Sequence, residues 1–292
     1  MEIGAVVSPV PVGGTTENHF PVGPESHRRR RVFVTVPVRN EGPRLLRTIE
    51  RLEYVLESSG YDWVLGVAED GSTDHSASLL RGLAPRYPNL IIQTSPSPLG
   101  RGLALRRLWS TVTADTYAFT DADLAAGPEA VVAALREIDG GADVAVGSRS
   151  LPGSIVRRPP LRNFASHSYN WIIRRTFNDG IADHQCGLKA FSRLAVARLL
   201  PQTNEDSWFW DTEVLVRAVW NGLRVVEFPV EWTETKYPTT SLSRLMSDAL
   251  LHGSGLLRLK GGLDGHMRQS HGIPPRPSLV GLPRSRDGSA ES

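Results

Sequence analysis

Thr116-Tyr117-Ala118-Phe119-Thr120-Asp121-Ala122-Asp123 decides how this chain is read. An apolar, strand-like run ends in two carboxylates one residue apart. Two carboxylates at a strand end can grip one hard divalent cation, Mg2+ or Mn2+. Such a cation keeps several waters and takes only one or two protein carboxylates, drawing the rest of its shell from substrate phosphates. It can absorb the charge that develops on a departing nucleoside diphosphate. An isolated Asp-x-Asp also arises in surface turns, so the neighbouring segments must carry the reading.

Those segments alternate. Val32 to Val38, Trp63 to Ala68, Leu90 to Gln93, Tyr117 to Thr120 and Ala142 to Val146 read as strands. Pro43 to Ser58, Thr73 to Leu83, Arg101 to Val112 and Pro128 to Ile138 read as the helices between them, the first with Leu46, Ile49, Leu52, Val55 and Leu56 at helical spacing. Strands separated by helices of this length predict an α/β fold with a mostly parallel sheet covered on both faces. Ligands of such sheets bind beyond the carboxyl ends of the strands. That rule places Pro37 to Glu41, Glu69-Asp70 and Asp121-Ala122-Asp123 on one rim. Further on, helices are expected over Leu161 to Phe177, Ala195 to Leu200, Asp211 to Trp220 and Leu242 to Leu257, with a strand over Leu223 to Val230.

The 292 residues, 40% hydrophobic, suffice for a sizeable core. A net charge of +2 gives no reason to expect nucleic acid. The basic residues are nearly all arginine; Lys189, Lys236 and Lys260 are the lysines. Arginine suits bidentate contact with phosphate. The single cysteine, Cys186, excludes an internal disulfide framework. No run reaches the roughly 18 apolar residues of a membrane span. No basic stretch followed by an apolar block opens the chain. A cytoplasmic protein is expected, with peripheral contact at the membrane face left open. Residues 1–31, Pro/Gly/Ser-rich and ending in Arg28 to Arg31, read as a disordered extension, and 261–292 as a disordered tail, leaving 32–260 as one domain.

Several stretches, in order, carry a resemblance. Val34-Thr35-Val36-Pro37-Val38-Arg39-Asn40-Glu41, Glu69-Asp70-Gly71-Ser72-Thr73-Asp74, Leu99-Gly100-Arg101-Gly102, Thr120-Asp121-Ala122-Asp123 and Gly147-Ser148-Arg149 resemble the signatures of family 2 glycosyltransferases of the GT-A fold. Asp183-His184-Gln185-Cys186-Gly187-Leu188-Lys189, Trp210-Asp211-Thr212-Glu213 and Phe228-Pro229-Val230-Glu231-Trp232 resemble the polyprenyl- and dolichyl-phosphate subgroup. Three residues depart from the usual pattern: Glu69 replaces an Asp, Arg101 a Lys, and Ala125 a frequent Gln.

The resemblance implies roles. Pro37, Arg39 and Glu41 would frame the nucleotide base, and Asp70 would accept from a base N–H, uracil or guanine equally. Arg101 would sit by the donor, and Ala122 between the two acids. Asp123 would bond the metal directly and Asp121 would hold ribose or metal water, or the reverse. Asp183 and Gln185 would lie near the sugar. Arg149 and Arg162 are candidates to bind phosphates, with Arg157 and Arg158 behind them. Asp211 is the base if the acceptor is an alcohol, and structural or orienting if the acceptor is a phosphate. Cys186 reads as packing and His184 as a loop residue.

The implied activity is an inverting, metal-dependent hexose transfer from a UDP- or GDP-sugar to a polyprenyl-phosphate-like lipid. A soluble transferase acting on a small-molecule hydroxyl, and a silent nucleotide-sugar-binding protein, are the alternatives. Oligomeric state is not legible. The helix over Leu242 to Leu257, with the arginine run, is the expected membrane contact.

Overall fold

Strand β1 (Arg31–Val38) sends Val32, Val34, Val36 and Val38 into one apolar cluster and Phe33 into another. That period-two alternation means that both faces of the strand are covered. The computed structural model describes residues 29–234 and 253–263. The extension up to residue 28, the tail from 264, the stretch 235–241 with Lys236, and most of the helix expected over Leu242 to Leu257 lie outside the described residues.

From β1 the chain continues through α1 (Gly42–Glu57), β2 (Asp62–Asp70), α2 (Ser76–Leu83), β3 (Leu90–Ser95), α3 (Arg101–Trp109), β4 (Thr116–Thr120) and α4 (Glu129–Asp139). Next come β5 (Val144–Ser148), β6 (Ile155–Arg157), α5 (Pro160–Phe177), β7 (Leu188–Ser192), α6 (Arg193–Leu199) and α7 (Trp210–Trp220). They are followed by β8 (Val225–Pro229), β9 (Glu231–Thr233) and, over 253–263, α8. The main sheet runs β3-β2-β1-β4-β7-β5-β8; β6 and β9 form a parallel pair of their own.

Three layers result. The cluster on one face of the sheet draws on α1, α2 and α4; the other draws on α3, α6 and α7. The second cluster packs Trp109, Phe119, Phe191 and Trp210 ring against ring, with centroids 5.4–6.5 Å apart. Burying each large apolar side chain contributes roughly 1.5–3 kcal/mol.

Strands β6, β7 and β9 are additions to the sequence reading. β6 and β9 have three residues each, too few for a periodicity. β7 is antiparallel to both neighbours and sits in the middle of the sheet, between β4 and β5. Lys189 interrupts its apolar run and hides it, yet that side chain is fully buried.

The helix expected to stop near Leu257 continues to residue 263. Leu259 and Leu263 join Ile173 and Phe177 of α5 and Phe209 and Val216 beside and within α7. A Cβ at Gly255 would meet the Phe209 ring at 2.5 Å, so this glycine allows the close approach rather than ending the helix. Two arginines of the expected N-terminal tail also belong to the domain. Arg30 pairs with Asp139, and Arg31 opens β1 with its N–H donated to Asp115.

Candidate active site

The ends of β1 and β2 are locked together. Asn40, with φ at 57°, accepts at Oδ1 from the backbone of Thr73 at 2.8 Å and donates its own N–H to Ser72 Oγ at 3.0 Å. Gly42 N donates to Asp74, and Glu41 N to Ser76. Arg39 stays exposed on this rim, Pro37 and Glu41 half-buried, and Glu41 lies 3.6 Å from Arg44. Asp70 is buried and accepts from the N–H groups of Leu99 and Gly100, the latter at 3.1 Å. It therefore fixes the loop that opens α3. An ionised carboxylate has about four acceptor positions, so a base N–H remains within its capacity.

That loop delivers Arg101 to the end of β4. Arg101 Nη2 lies 2.8 Å from Asp121 Oδ1, and Nη1 lies 3.4 Å from Asp211 Oδ2. Its guanidinium lies between two rings, 4.8 Å from the centre of Phe119 and 4.7 Å from that of Trp208. Lys189 Nζ donates to Asp211 Oδ1 at 2.8 Å and to the Cys186 carbonyl at 2.7 Å. Two cations and two carboxylates thus form one network at the floor of the rim. Burial would lower the Arg101 pKa, but Asp121 and Asp211 outweigh it and hold it above the ordinary value. Burial raises the Asp121 carboxyl, Arg101 offsets part of that, and Asp123 adds to the rise.

Asp121 keeps 27% of its side chain exposed, against 4% for Arg101. Ala122, between the acids, is buried, and its carbonyl accepts from Thr48 at 2.6 Å. Asp123 Oδ1 accepts from Ala125 N at 3.2 Å. Leu124 follows with φ at 49°, a left-handed conformation costing a leucine roughly 1–2 kcal/mol. Gly187 runs beside the pair. Its carbonyl accepts from Asp121 N at 3.1 Å, and a Cβ there would sit 1.8 Å from Asp121 Oδ2.

On the other side of the sheet centre, Arg149 grips Asp183 with Nε at 2.7 Å and Nη2 at 2.8 Å. Its guanidinium also faces the Trp232 ring at 4.9 Å. Asp183, whose side chain is 1% exposed, therefore occupies the Nε–Nη2 edge of the guanidinium. Burial acts to raise the Asp183 carboxyl, but Arg149 overcomes it and holds the group well below the carboxylate range. Glu227 accepts from the backbone N–H groups of Ala182 and Asp183 at 2.8 and 2.9 Å. Gln185 Oε1 accepts from Ser166 of α5 at 3.4 Å. Arg162, 38% exposed, pairs with Glu234, whose side chain is 11% exposed. Burial, with the Arg149 charge second, lowers Arg158 to about 10.

His184 is more than a loop residue. It is fully buried, its Nε2 2.9 Å from Asp179 and its Nδ1 3.0 Å from Asn170. Burial pushes the Cys186 thiol up to about 12, which fits packing rather than nucleophilic work. Sequence reasoning missed the parts played by Lys189, Glu227, Trp208 and Gly187. One signal was available for Lys189: a lysine inside an apolar stretch needs an acidic partner.

Among the described residues no cluster of three or more His, Cys, Asp or Glu could enclose a metal. The arrangement nevertheless fits a cation held jointly with a substrate. Two carboxylates, both partly open, meet the demand of Mg2+ or Mn2+ that shares its shell with phosphates and water. Gly187 leaves the room that a side chain would fill.

An Asp-x-Asp at the rim of a mostly parallel sheet, beside an antiparallel strand, is the arrangement that the resemblance to the GT-A class implies. Residues 33–200 match the model of glycosyl transferase family 2. The chain belongs to this family and is a GT-A glycosyltransferase. It is 37% identical over 232 residues to the glycosyltransferase AglD of Haloferax volcanii, covering 78% of this chain but 36% of AglD. It is 31% identical over 228 residues to the dolichyl-phosphate beta-glucosyltransferase ALG5C of Trichomonas vaginalis, covering 74% of this chain and 67% of that protein. Glucosyl-3-phosphoglycerate synthase of Mycobacterium tuberculosis, solved with Mn2+, UDP-glucose and phosphoglyceric acid, shares the fold at a TM-score of 0.62. Its identity is 18%, with 80% of each chain covered.

Proposed function

We propose that this chain moves one hexose, with inversion, from a nucleoside diphosphate sugar to the phosphate of a polyprenyl-type lipid. The observation that carries the acceptor assignment is the environment of Asp211. Its two oxygens face Lys189 at 2.8 Å and Arg101 at 3.4 Å. An alcohol acceptor needs a general base within hydrogen-bond reach, and the leading candidate is tied into ion pairs. A phosphate acceptor is already anionic and needs no strong base. The similarity to a dolichyl-phosphate transferase supports the same choice.

In this reading Asp121 and Asp123 hold the cation, Arg39, Glu41 and Asp70 frame the base, and Arg101 orients Asp121. When bound, the divalent cation supplies Lewis-acid stabilisation of the departing diphosphate. An acceptor phosphate oxygen forms the bond to the anomeric carbon. The bond from that carbon to the diphosphate breaks, and its electron pair leaves with the diphosphate. In the same reading Arg162, at the first turn of α5, would meet the incoming phosphate and Gln185 would lie towards the sugar, with Asp183 holding Arg149 behind it. Asp211, with Lys189, is a positioning residue. A lipid substrate would bring the chain to a membrane face; no described helix is long and apolar enough to cross a membrane.

The test is a panel of UDP- and GDP-hexoses with Mg2+ or Mn2+, with and without a polyprenyl phosphate, scoring sugar extracted with lipid. Labelled lipid that needs both the phosphate and a cation is the expected result. Transfer only to water-soluble hydroxyl compounds would make the chain a soluble-acceptor enzyme, and no transfer or donor hydrolysis would make it a silent binder.

A further inference from the structure

We infer that the outer face of α5 is a docking surface for an anionic lipid bilayer. Leu161, Phe164, Trp171 and Ile172 are 59%, 72%, 61% and 45% exposed. Their spacing of three, seven and one residues places them on one stripe, about 100° wide, of a helix with 3.6 residues per turn. The opposite face of the same helix is spent on the protein: Ser166, Asn170, Ile173 and Phe177 are buried. A soluble surface rarely gathers two exposed aromatics and two exposed aliphatics on one helix face without a partner.

Charge says which partner. From Arg157 to Phe177 the chain carries five arginines and no acidic residue. Arg174 and Arg175, in the last turn, are exposed beside the stripe. An apolar stripe with a tryptophan, flanked by guanidinium groups, matches the acyl boundary and anionic headgroups of a membrane surface. A basic surface of this kind is poorly suited to pair with itself, which argues against a second copy.

Position says why. Arg149 Nη2 reaches Ser166 Oγ on the inner face of α5 at 3.4 Å, and Ser166 in turn meets Gln185. A bilayer against the outer face would lie about one helix diameter, ~10–12 Å, from the acceptor side of the site. The proposal deepens the lipid-acceptor reading and rests on it for its purpose. The outer face of α5 is a second surface beside the one expected over Leu242 to Leu257, most of which lies outside the described residues. The C-terminal helix buries Leu259 and Leu263 against α5 and α7, so the described part of that helix spends those two leucines within the protein.

The experiment is co-sedimentation of the full chain with phosphatidylcholine vesicles, with and without phosphatidylglycerol, at low and high salt. Phe164→Glu/Trp171→Glu is the test variant and Leu257→Glu, at an exposed site on α8, the control. The wild type and the control should sediment with the anionic vesicles and be released by salt. The double variant should lose binding by about tenfold or more while melting as the wild type does. Three results overturn the proposal: wild type left in solution at low salt, a double variant that binds as well as wild type, or a wild-type dimer that the double variant converts to monomer. Transfer to a short, water-soluble polyprenyl phosphate is measured alongside and needs no vesicle. Its absence in wild type sinks the acceptor reading, whereas lost vesicle binding with transfer retained supports docking through α5.

Discussion

On the β1-to-β4 side, Asp121 and Asp123 stand at the rim, and Asp121 keeps a quarter of its side chain open. On the β5-to-β9 side and in α7, Asp183 and Asp211 are buried to 1% and 5% side-chain exposure, each paired with a buried cation. The side chain is the same and the surroundings differ. In the proposed reading Asp121 meets the ligand: Gly187 fixes its backbone, Arg101 holds one oxygen, and part of the side chain stays open. Where a carboxylate must hold a loop, an arginine or lysine encloses it. A buried pair is costly to break because the surviving partner is left charged and uncompensated.

Removing Asp183 or Arg149 should therefore have the largest effect on folding. Asp183→Ala or Arg149→Ala should cost about 3–5 kcal/mol in denaturant unfolding. Arg149→Lys should recover only part, because a point charge cannot reproduce the Nε and Nη2 fork. The sign with pH follows from the depressed Asp183 carboxyl. Its stabilisation is complete above the unfolded value of about 3.9 and is lost as pH falls towards the lower folded value. Unchanged midpoints in both alanine variants would erase the distinction between the two sides.

The β1-to-β4 side was legible because its signals are local. The strand ending in Asp121-Ala122-Asp123 and the spacing of Leu46, Ile49 and Leu52 are patterns within one window. The other side was not. β7 has five residues with a lysine inside them, and its place between β4 and β5 depends on partners 43 to 76 positions away. The Arg149–Asp183 pair spans 34 positions and the Lys189–Asp211 pair 22, and no spacing rule links either. Arg149 was readable as a phosphate ligand because the sequence displays its charge and not its partner.

A smaller effect should separate the sides by pH. The Asp121 carboxyl is raised by burial, so it takes up its proton at higher pH than an ordinary carboxyl. Cation-dependent binding of a nucleoside diphosphate should weaken as pH falls through that raised value, before Asp183 titrates. Calorimetry over a descending pH series should show Mn2+-dependent binding weakening while the protein is still folded. Affinity that stays constant until the protein unfolds would mean that Asp121 does not control the cation.

The smallest effect belongs to Arg162, which is 38% exposed and paired with Glu234. Arg162→Lys should change unfolding stability by less than about 1 kcal/mol, in contrast with Arg149. Its cost should fall on transfer kinetics instead, as expected for a guanidinium that meets the acceptor phosphate.

The most direct test of the division of labour compares Asp123→Asn with Asp211→Asn by calorimetric titration of UDP and GDP, each with and without Mn2+, together with melting curves. Asp123→Asn should lose Mn2+-dependent nucleotide binding and keep its melting temperature. Asp211→Asn should melt lower, because Lys189 and Arg101 lose their counter-charge, yet still bind the nucleotide with Mn2+. Asp211→Asn melting and binding as wild type does, with transfer abolished and restored at high pH, would make Asp211 the base of an alcohol-directed reaction and contradict the account.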